Sequence, residues 1–332
     1  MSDVWTVRRL LTWTTGHFEK KGVDSPRLTS EILLAHVLKL NRVRLYVDLD
    51  RPLEKSELTE LRALIEKRAG GTPTQYLVGH KEFYNRRFRV DARVLIPRPE
   101  TELLVDHVLQ ALPKAPAKVP AAPTAEGAAD GAPEDGDAPA AAAPAPAASP
   151  PAAPPPAAPP PAPRVLDVCT GSGCIAVTVA AERPLAQVWA TDLSEGACAL
   201  ARENAEALGV GGRLAVLQGD LFAPLPPDAR FDVVVSNPPY IATGELAGLQ
   251  LEVRQEPRLA LDGGPDGLAL VRRVVEGARE RLVPGGLLAM EIGEDQGAAV
   301  HALLTAAGYA QVRVAKDLER RDRFALGCRP AV

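Results

Sequence analysis

Ser236-Asn237-Pro238-Pro239-Tyr240 follows a strongly apolar run at 231–235. Two consecutive prolines fix the backbone and leave carbonyls that no local N–H can pair. The Asn237 side-chain oxygen and the Pro238 carbonyl can then accept hydrogen bonds from one NH2 group. Tyr240 offers a ring to lie against a planar substrate. An amide or aromatic NH2 is a poor nucleophile because its lone pair is delocalised. Two acceptors draw on its protons, localise the lone pair and aim it at an electrophilic methyl carbon. That is catalysis by positioning and electrostatics, with no histidine-type base needed before transfer. The plain alternative for the segment is a turn.

Three motifs upstream fit such chemistry. Asp167-Val168-Cys169-Thr170-Gly171-Ser172-Gly173 lies between an apolar run and a helical stretch. Small residues there let the backbone approach a ligand, and the helix start offers unpaired N–H groups. A tight strand-to-helix turn is the other reading. Asp192 follows Val188-Trp189-Ala190-Thr191 at the expected tip of the second strand, where a carboxylate can accept both hydroxyls of a ribose. A cap for the helix that starts at Ser194 is the other reading, and the glycine loop upstream favours the ribose role. Gly219-Asp220-Leu221-Phe222 follows the third strand. Asp220 could accept from an adenine amino group between apolar neighbours, or simply close a turn.

These residues need a scaffold. From Arg164 onward, short apolar runs (165–168, 188–190, 214–217, 233–235, 287–292) alternate with helical stretches (175–181, 196–208, 268–282, 297–307). That alternation predicts a parallel sheet covered on both faces. Two late runs, 310–314 and 323–326, predict an antiparallel pair at the sheet's end. The first 80 residues read as helices. Val4, Val7, Leu10, Leu11 and Phe18 mark one face. Asp24-Ser25-Pro26 predicts a side-chain cap and a proline in the first turn of a helix carrying Leu28, Ile32, Ala35 and Leu38 inward. A third helix begins near Ser56, carries Leu58, Leu61, Leu64 and Ile65, and ends at Gly70-Gly71. Residues 81–96 predict a hairpin turning at Asn85-Arg86, and 98–112 a further helix.

Composition removes several classes. Of 32 prolines, 17 fall in residues 113–163 together with 21 alanines, so this tract is expected to be an extended or disordered spacer, a passive insertion rather than the alternative, a recognition segment for a proline-binding partner. The remaining apolar content suits a globular core. No apolar run reaches the roughly 18–20 residues that span a bilayer. Arg8 and Arg9 interrupt any leader-like start. Four cysteines and five scattered histidines match neither a disulfide scaffold nor a metal-ligand spacing, which predicts a reducing, cytoplasmic setting and no metal. Residues 1–96 carry a net +6 and the rest −10. This fits either a front part that meets an acidic partner or ordinary solvated helix faces.

The loop spacing Asp-x-x-x-Gly-x-Gly resembles the S-adenosylmethionine loop of the seven-strand methyltransferases. Asn-Pro-Pro-Tyr resembles the motif of enzymes that methylate planar NH2 groups, either adenine N6 or glutamine N5. Two further strings, Leu95-Ile96-Pro97-Arg98-Pro99-Glu100-Thr101-Glu102 and Glu256-Pro257-Arg258-Leu259-Ala260-Leu261-Asp262-Gly263-Gly264, resemble the release-factor glutamine N5-methyltransferases. That family modifies the glutamine of Gly-Gly-Gln in class-1 peptide release factors. Ribosomal-protein glutamine methyltransferases share Asn-Pro-Pro-Tyr but depart from Pro-Glu-Thr-Glu.

The resemblance covers nearly the whole chain outside the Pro/Ala tract. It implies an α/β fold: a seven-stranded Rossmann-like methyltransferase domain (98–332, interrupted by the insertion 113–163), a small N-terminal helical bundle (1–80) that docks the substrate, and a β-hairpin linker (81–97). It implies cofactor contacts from Cys169, Thr170, Gly171, Ser172, Gly173, Asp192, Asp220, Leu221 and Asn237. Asn237, Pro238, Pro239 and Tyr240 would hold the glutamine, with Asn237, Pro238 and Tyr240 catalytic. It implies release factors as partners, without membrane or metal, and argues against nucleic acid. Two positions depart from the family: Cys169 stands where glycine is usual and Leu221 where an aromatic is common, so weaker cofactor binding is expected. An adenine-N6 methyltransferase and a non-catalytic cofactor-binding adaptor are the rival readings.

Overall fold

The Thr6 hydroxyl accepts from the Arg9 backbone N–H and so starts α1 (Val7–Lys20). In the computed structural model, residues 4–113 and 162–331 are described. The spacer expected at 113–163 lies outside the described residues, except for Pro113, Ala162 and Pro163. Helix α2 (Pro26–Leu38) opens on Pro26, as expected, but Ser25 is left-handed (φ 45°) and its side chain makes no cap. The inward face of α2 also differs from the expected one. Leu33, Leu34 and Val37 fill the core, whereas Leu28 is exposed and Ile32 and Leu38 sit at the margin. The reason is that Thr29 and Ser30 can be buried: their hydroxyls donate to the Asp24 and Pro26 carbonyls. Val4 is exposed rather than part of the α1 face.

Helix α3 (Arg42–Val47) is capped by Asn41, which accepts from Arg44 N. Helix α4 (Lys55–Ala69) has Glu57 reaching back to Glu54 N, and α5 (Thr74–Val78) follows. Val7, Leu11, Phe18, Leu33, Leu45 and Leu61 form the core of this helical part. Strands β1 (His80–Phe83) and β2 (Arg86–Arg89) make the hairpin. Phe83 pairs with Arg86, so the turn residues are Tyr84 and Asn85, one position earlier than expected. Both have positive φ (49° and 56°), the conformation that matches strand twist in a two-residue turn. Tyr84 is held in it because its backbone N–H donates to Glu102 and its hydroxyl to Asp106.

Helix α6 (Glu100–Ala111) leads to the main sheet. Its strands are β3 (Arg164–Val168), β4 (Gln187–Asp192), β5 (Leu214–Gln218), β6 (Phe231–Ser236), β7 (Leu282–Glu291), β8 (Ala310–Lys316) and β9 (Asp322–Cys328). Their order is β5-β4-β3-β6-β7-β9-β8. Strands β3 to β7 run parallel, and β9 runs antiparallel to both β7 and β8, as the sequence predicts. Helices α7 (Cys174–Glu182), α8 (Glu195–Ala207), α9 (Ala269–Arg281) and α10 (Gly297–Ala306) cover the faces.

Alternation along β3 feeds two cores. Val165 packs with Leu104, Val108 and Ile175 on one face; Leu166 and Val168 pack with Phe231, Val271 and Met290 on the other. The described residues belong to one compact unit, and among them no helix is long and apolar enough to cross a membrane. Strand β3 has β4 on one side and β6 on the other. The chain therefore leaves it in opposite directions, and a crevice opens at the carboxyl ends of these strands.

Candidate active site

The crevice holds a cavity of about 340 Å³. Cys169, Thr170, Gly171 and Ser172 line it from the end of β3, and Asp192 from the end of β4. Asp220 and Leu221 line it from beyond β5, and Asn237 and Pro239 from beyond β6. Thus four segments spread over some 70 positions meet at one sheet edge. Gly173 stands behind the loop instead (φ 78°). A Cβ there would come 3.1 Å from the Ala201 Cβ, so its service is to let α7 pack on α8. Tyr240 lines a second cavity of about 250 Å³, with Arg98, Glu100, Glu291, Arg321 and Arg323.

The loop is built around two carboxylates. Asp167 is fully buried; its Oδ2 accepts from the Thr170 hydroxyl at 2.6 Å and from Ala176 N at 3.2 Å, while among the described residues Oδ1 has no partner. Burial pushes its pKa up to about 7. Asp192 Oδ2 accepts from Gly171 N and Oδ1 from Ser194 N, both at 2.9 Å. The cap of α8 is the Ser194 hydroxyl, which accepts from Ala197 N, so Asp192 is not the helix cap. Burial raises the Asp192 pKa, against the pull of the Ser194, Gly171 and Leu193 N–H groups. Cys169 and Leu221 are both left-handed, with φ of 61° and 49°. Desolvation, with Asp192 and Asp167 nearby, pushes the Cys169 thiol up. Asp220 is exposed and paired with Arg273 at 2.6 Å, a partner absent from the sequence reading.

At the Asn237 end, four side chains form a chain of hydrogen bonds. Asn237 Nδ2 donates to Thr101 Oγ1 at 3.3 Å, and Thr101 donates to Glu291 Oε2 at 2.7 Å. The Tyr240 hydroxyl donates to Glu291 Oε1 at 3.3 Å. Glu291 is buried, which raises its pKa, while Thr101, Arg323 and Tyr240 lower it. Burial and the nearby Glu291 push the Tyr240 hydroxyl up in turn. Sequence reasoning did not single out Glu291. The available signal was a lone carboxylate inside the apolar run 287–292, since a buried charge requires partners.

The two strings around Arg98 and Glu256 also find a physical role. Glu256 is buried and accepts from Ile96 N at 2.8 Å and from the Arg98 guanidinium at 2.5 Å. Gly263 lies so close to the proline turn that a Cβ would come 2.8 Å from the Pro239 carbonyl oxygen and Tyr240 Cα. Gln296 Nε2 donates to the Tyr240 carbonyl at 2.8 Å.

Residues 9–79 match the family model of the PrmC N-terminal domain, and residues 157–253 that of the methyltransferase small domain. A release factor glutamine methyltransferase of Geobacter sulfurreducens is 40% identical over 326 residues, covering 98% of this chain and 97% of the relative. The chain belongs to the release factor glutamine methyltransferases. Relatives of the same name from Moorella thermoacetica (39% identical, 98% of this chain, 99% of theirs) and Chlorobaculum tepidum (40%, 96% and 96%) agree.

The cofactor of this methyltransferase family is S-adenosylmethionine, and the donor set suits it. Each Asp192 oxygen accepts one loop N–H and retains acceptor capacity for a ribose hydroxyl. Leu193 and Leu221 give apolar walls, and Asn237 stands in the same cavity.

Proposed function

We propose that this chain methylates the side-chain amide nitrogen (N5) of the glutamine in the Gly-Gly-Gln motif of class-1 peptide release factors. The observation that carries the reading is the state of Asn237. Its Nδ2 is engaged by Thr101, while among the described residues its Oδ1 accepts no hydrogen bond, and the residue lines the cavity shared with Asp192. Full-length relatives at 40% identity supply the substrate class.

In this reading the loop at Cys169, Thr170, Gly171 and Ser172 holds the cofactor by its backbone, with Gly173 supporting it from behind. Asp192 takes the ribose hydroxyls, and Asp220 and Leu221 border the adenine. The cofactor supplies an electrophilic methyl group. Asn237 Oδ1 and the Pro238 carbonyl accept the two amide hydrogens of the substrate, which localises the nitrogen lone pair and aims it. Pro239 and the Tyr240 ring confine the amide plane. Residues 1–80 dock the release factor, since one glutamine offers too little area for specificity. The exposed Trp13, Val43, Tyr46 and Val47 on α1 and α3 support that role, with 81–97 as linker and 98–332 as the catalytic part. A release-factor substrate places the reaction in the cytoplasm.

The test is incubation of the purified protein with S-adenosylmethionine and an unmethylated release factor, followed by tandem mass spectrometry. One methyl on the Gly-Gly-Gln glutamine, lost in Asn237→Ala, is expected. Methylation of adenine in DNA or RNA instead, or cofactor binding with no transfer to either, would overturn the reading.

A further inference from the structure

We infer that Glu291 is a positioning residue: acting through Thr101, it fixes which end of the Asn237 amide faces the cavity. The inference rests on the role of Asn237 given above. An asparagine amide is nearly the same shape either way round, so only its hydrogen bonds decide its orientation. One orientation presents Oδ1 to a substrate NH2 and accepts its hydrogen; the other presents a second NH2 and repels it.

The neighbours decide between them. The Thr101 hydroxyl has one hydrogen. At 2.7 Å, Glu291 Oε2 takes it. Thr101 Oγ1 is then an acceptor only, and the group of Asn237 that meets it at 3.3 Å must be Nδ2. Oδ1 is left for the cavity. The other Glu291 oxygen takes the Tyr240 hydroxyl hydrogen, so one carboxylate sets both polar ends of the substrate turn. Glu291 comes from the end of β7, Thr101 from the first turn of α6 and Asn237 from the end of β6. No one element holds the amide; the set of three does. A purely structural role for the Thr101–Glu291 bond, fastening α6 to β7, is the alternative.

The full-length protein separates these with Thr101→Val, which keeps shape and loses the hydroxyl, and Thr101→Ser, which keeps the hydroxyl. Steady-state methylation of a release factor is read beside cofactor affinity by calorimetry and thermal midpoint. Thr101→Val is expected to lower kcat about 10- to 100-fold, with KM and cofactor Kd within about twofold of the parent. Thr101→Ser is expected within about threefold of the parent in kcat. A Thr101→Val enzyme with parental kcat overturns the inference. So does a serine variant as impaired as the valine one, or a kcat loss matched by loss of cofactor binding and thermal midpoint. In those cases the parent still methylates and Asn237→Ala does not, so the functional reading survives alone. A parent that leaves the release factor unmethylated removes both.

Discussion

Arg98 and Glu256 are 158 positions apart in the chain and meet at 2.5 Å, guanidinium to buried carboxylate. The same carboxylate accepts from Ile96 N, so it closes the segment before α6 onto the loop that follows the proline turn. Removing it leaves a cation and a backbone N–H without partners. Glu256→Ala is therefore expected to destabilise the protein by about 2–4 kcal/mol. Because Arg98 and Pro97 border the cofactor cavity, cofactor affinity should fall as well. Chemical denaturation and calorimetric titration check both; an unchanged unfolding midpoint would show that the pair is ornamental.

Cys169 carries a side chain where φ is 61°. Glycine would relieve left-handed strain of about 1–2 kcal/mol but restore freedom to the unfolded chain. Cys169→Gly is thus expected to stay within about 1 kcal/mol of the parent and to bind S-adenosylmethionine at least as tightly. Cys169→Val, β-branched in the same conformation, should lose about 1–3 kcal/mol and weaken binding. If valine matches glycine in both measurements, the loop backbone is not the constraint.

Asp167 links stability to pH. Burial raises its folded-state pKa from 3.8 to about 7, so the folded form keeps a proton that the unfolded form releases. Its contribution is full below about pH 4 and is lost as pH rises toward 7. Asp167→Asn has nothing to ionise there. Between pH 5 and pH 8 the parent should therefore lose stability relative to this variant, by on the order of 1–4 kcal/mol. Urea denaturation of the two proteins at both pH values would read it, and parallel pH dependences would refute it.

Residues 114–161 should be dispensable for chemistry. Replacing them by a short Gly/Ser loop is expected to leave kcat within about twofold, since closure entropy changes only about 0.6 kcal/mol per doubling of loop length. A large fall in turnover with the fold intact, by circular dichroism, would give the tract a working role.

Much of the site was legible because its motifs are local. The glycine loop, the carboxylate at the tip of β4 and the proline turn each declare themselves within a few residues, and sheet alternation placed them at one edge. What stayed hidden was pairing at long range. Thr101 with Glu291, Arg98 with Glu256 and Arg273 with Asp220 are separated by 190, 158 and 53 positions. No spacing rule reaches that far. Helices α3 and α5 have only six and five residues, too few for a period to appear. The inward face of α2 was misread because hydrogen bonds of Thr29 and Ser30 to their own helix start let polar side chains go inside. The hairpin turn was misplaced by one residue because Tyr84 accepts a conformation that only its bonds to Glu102 and Asp106 justify.

The chain departs for residues 114–161 just after α6 and returns at the amino-terminal start of β3. Pro163 there accepts from Gln187 N, at the start of β4. Arg183, one residue past α7, donates to the Leu109 carbonyl in the last turn of α6, so the departure point lies at that same edge. The glycine loop, Asp192 and the proline turn lie at the opposite, carboxyl-terminal edge. The architecture thus gives evolution two separate workbenches. At one, four separate segments converge on the cavity; at the other, the chain leaves and rejoins the described part around residues 114–161.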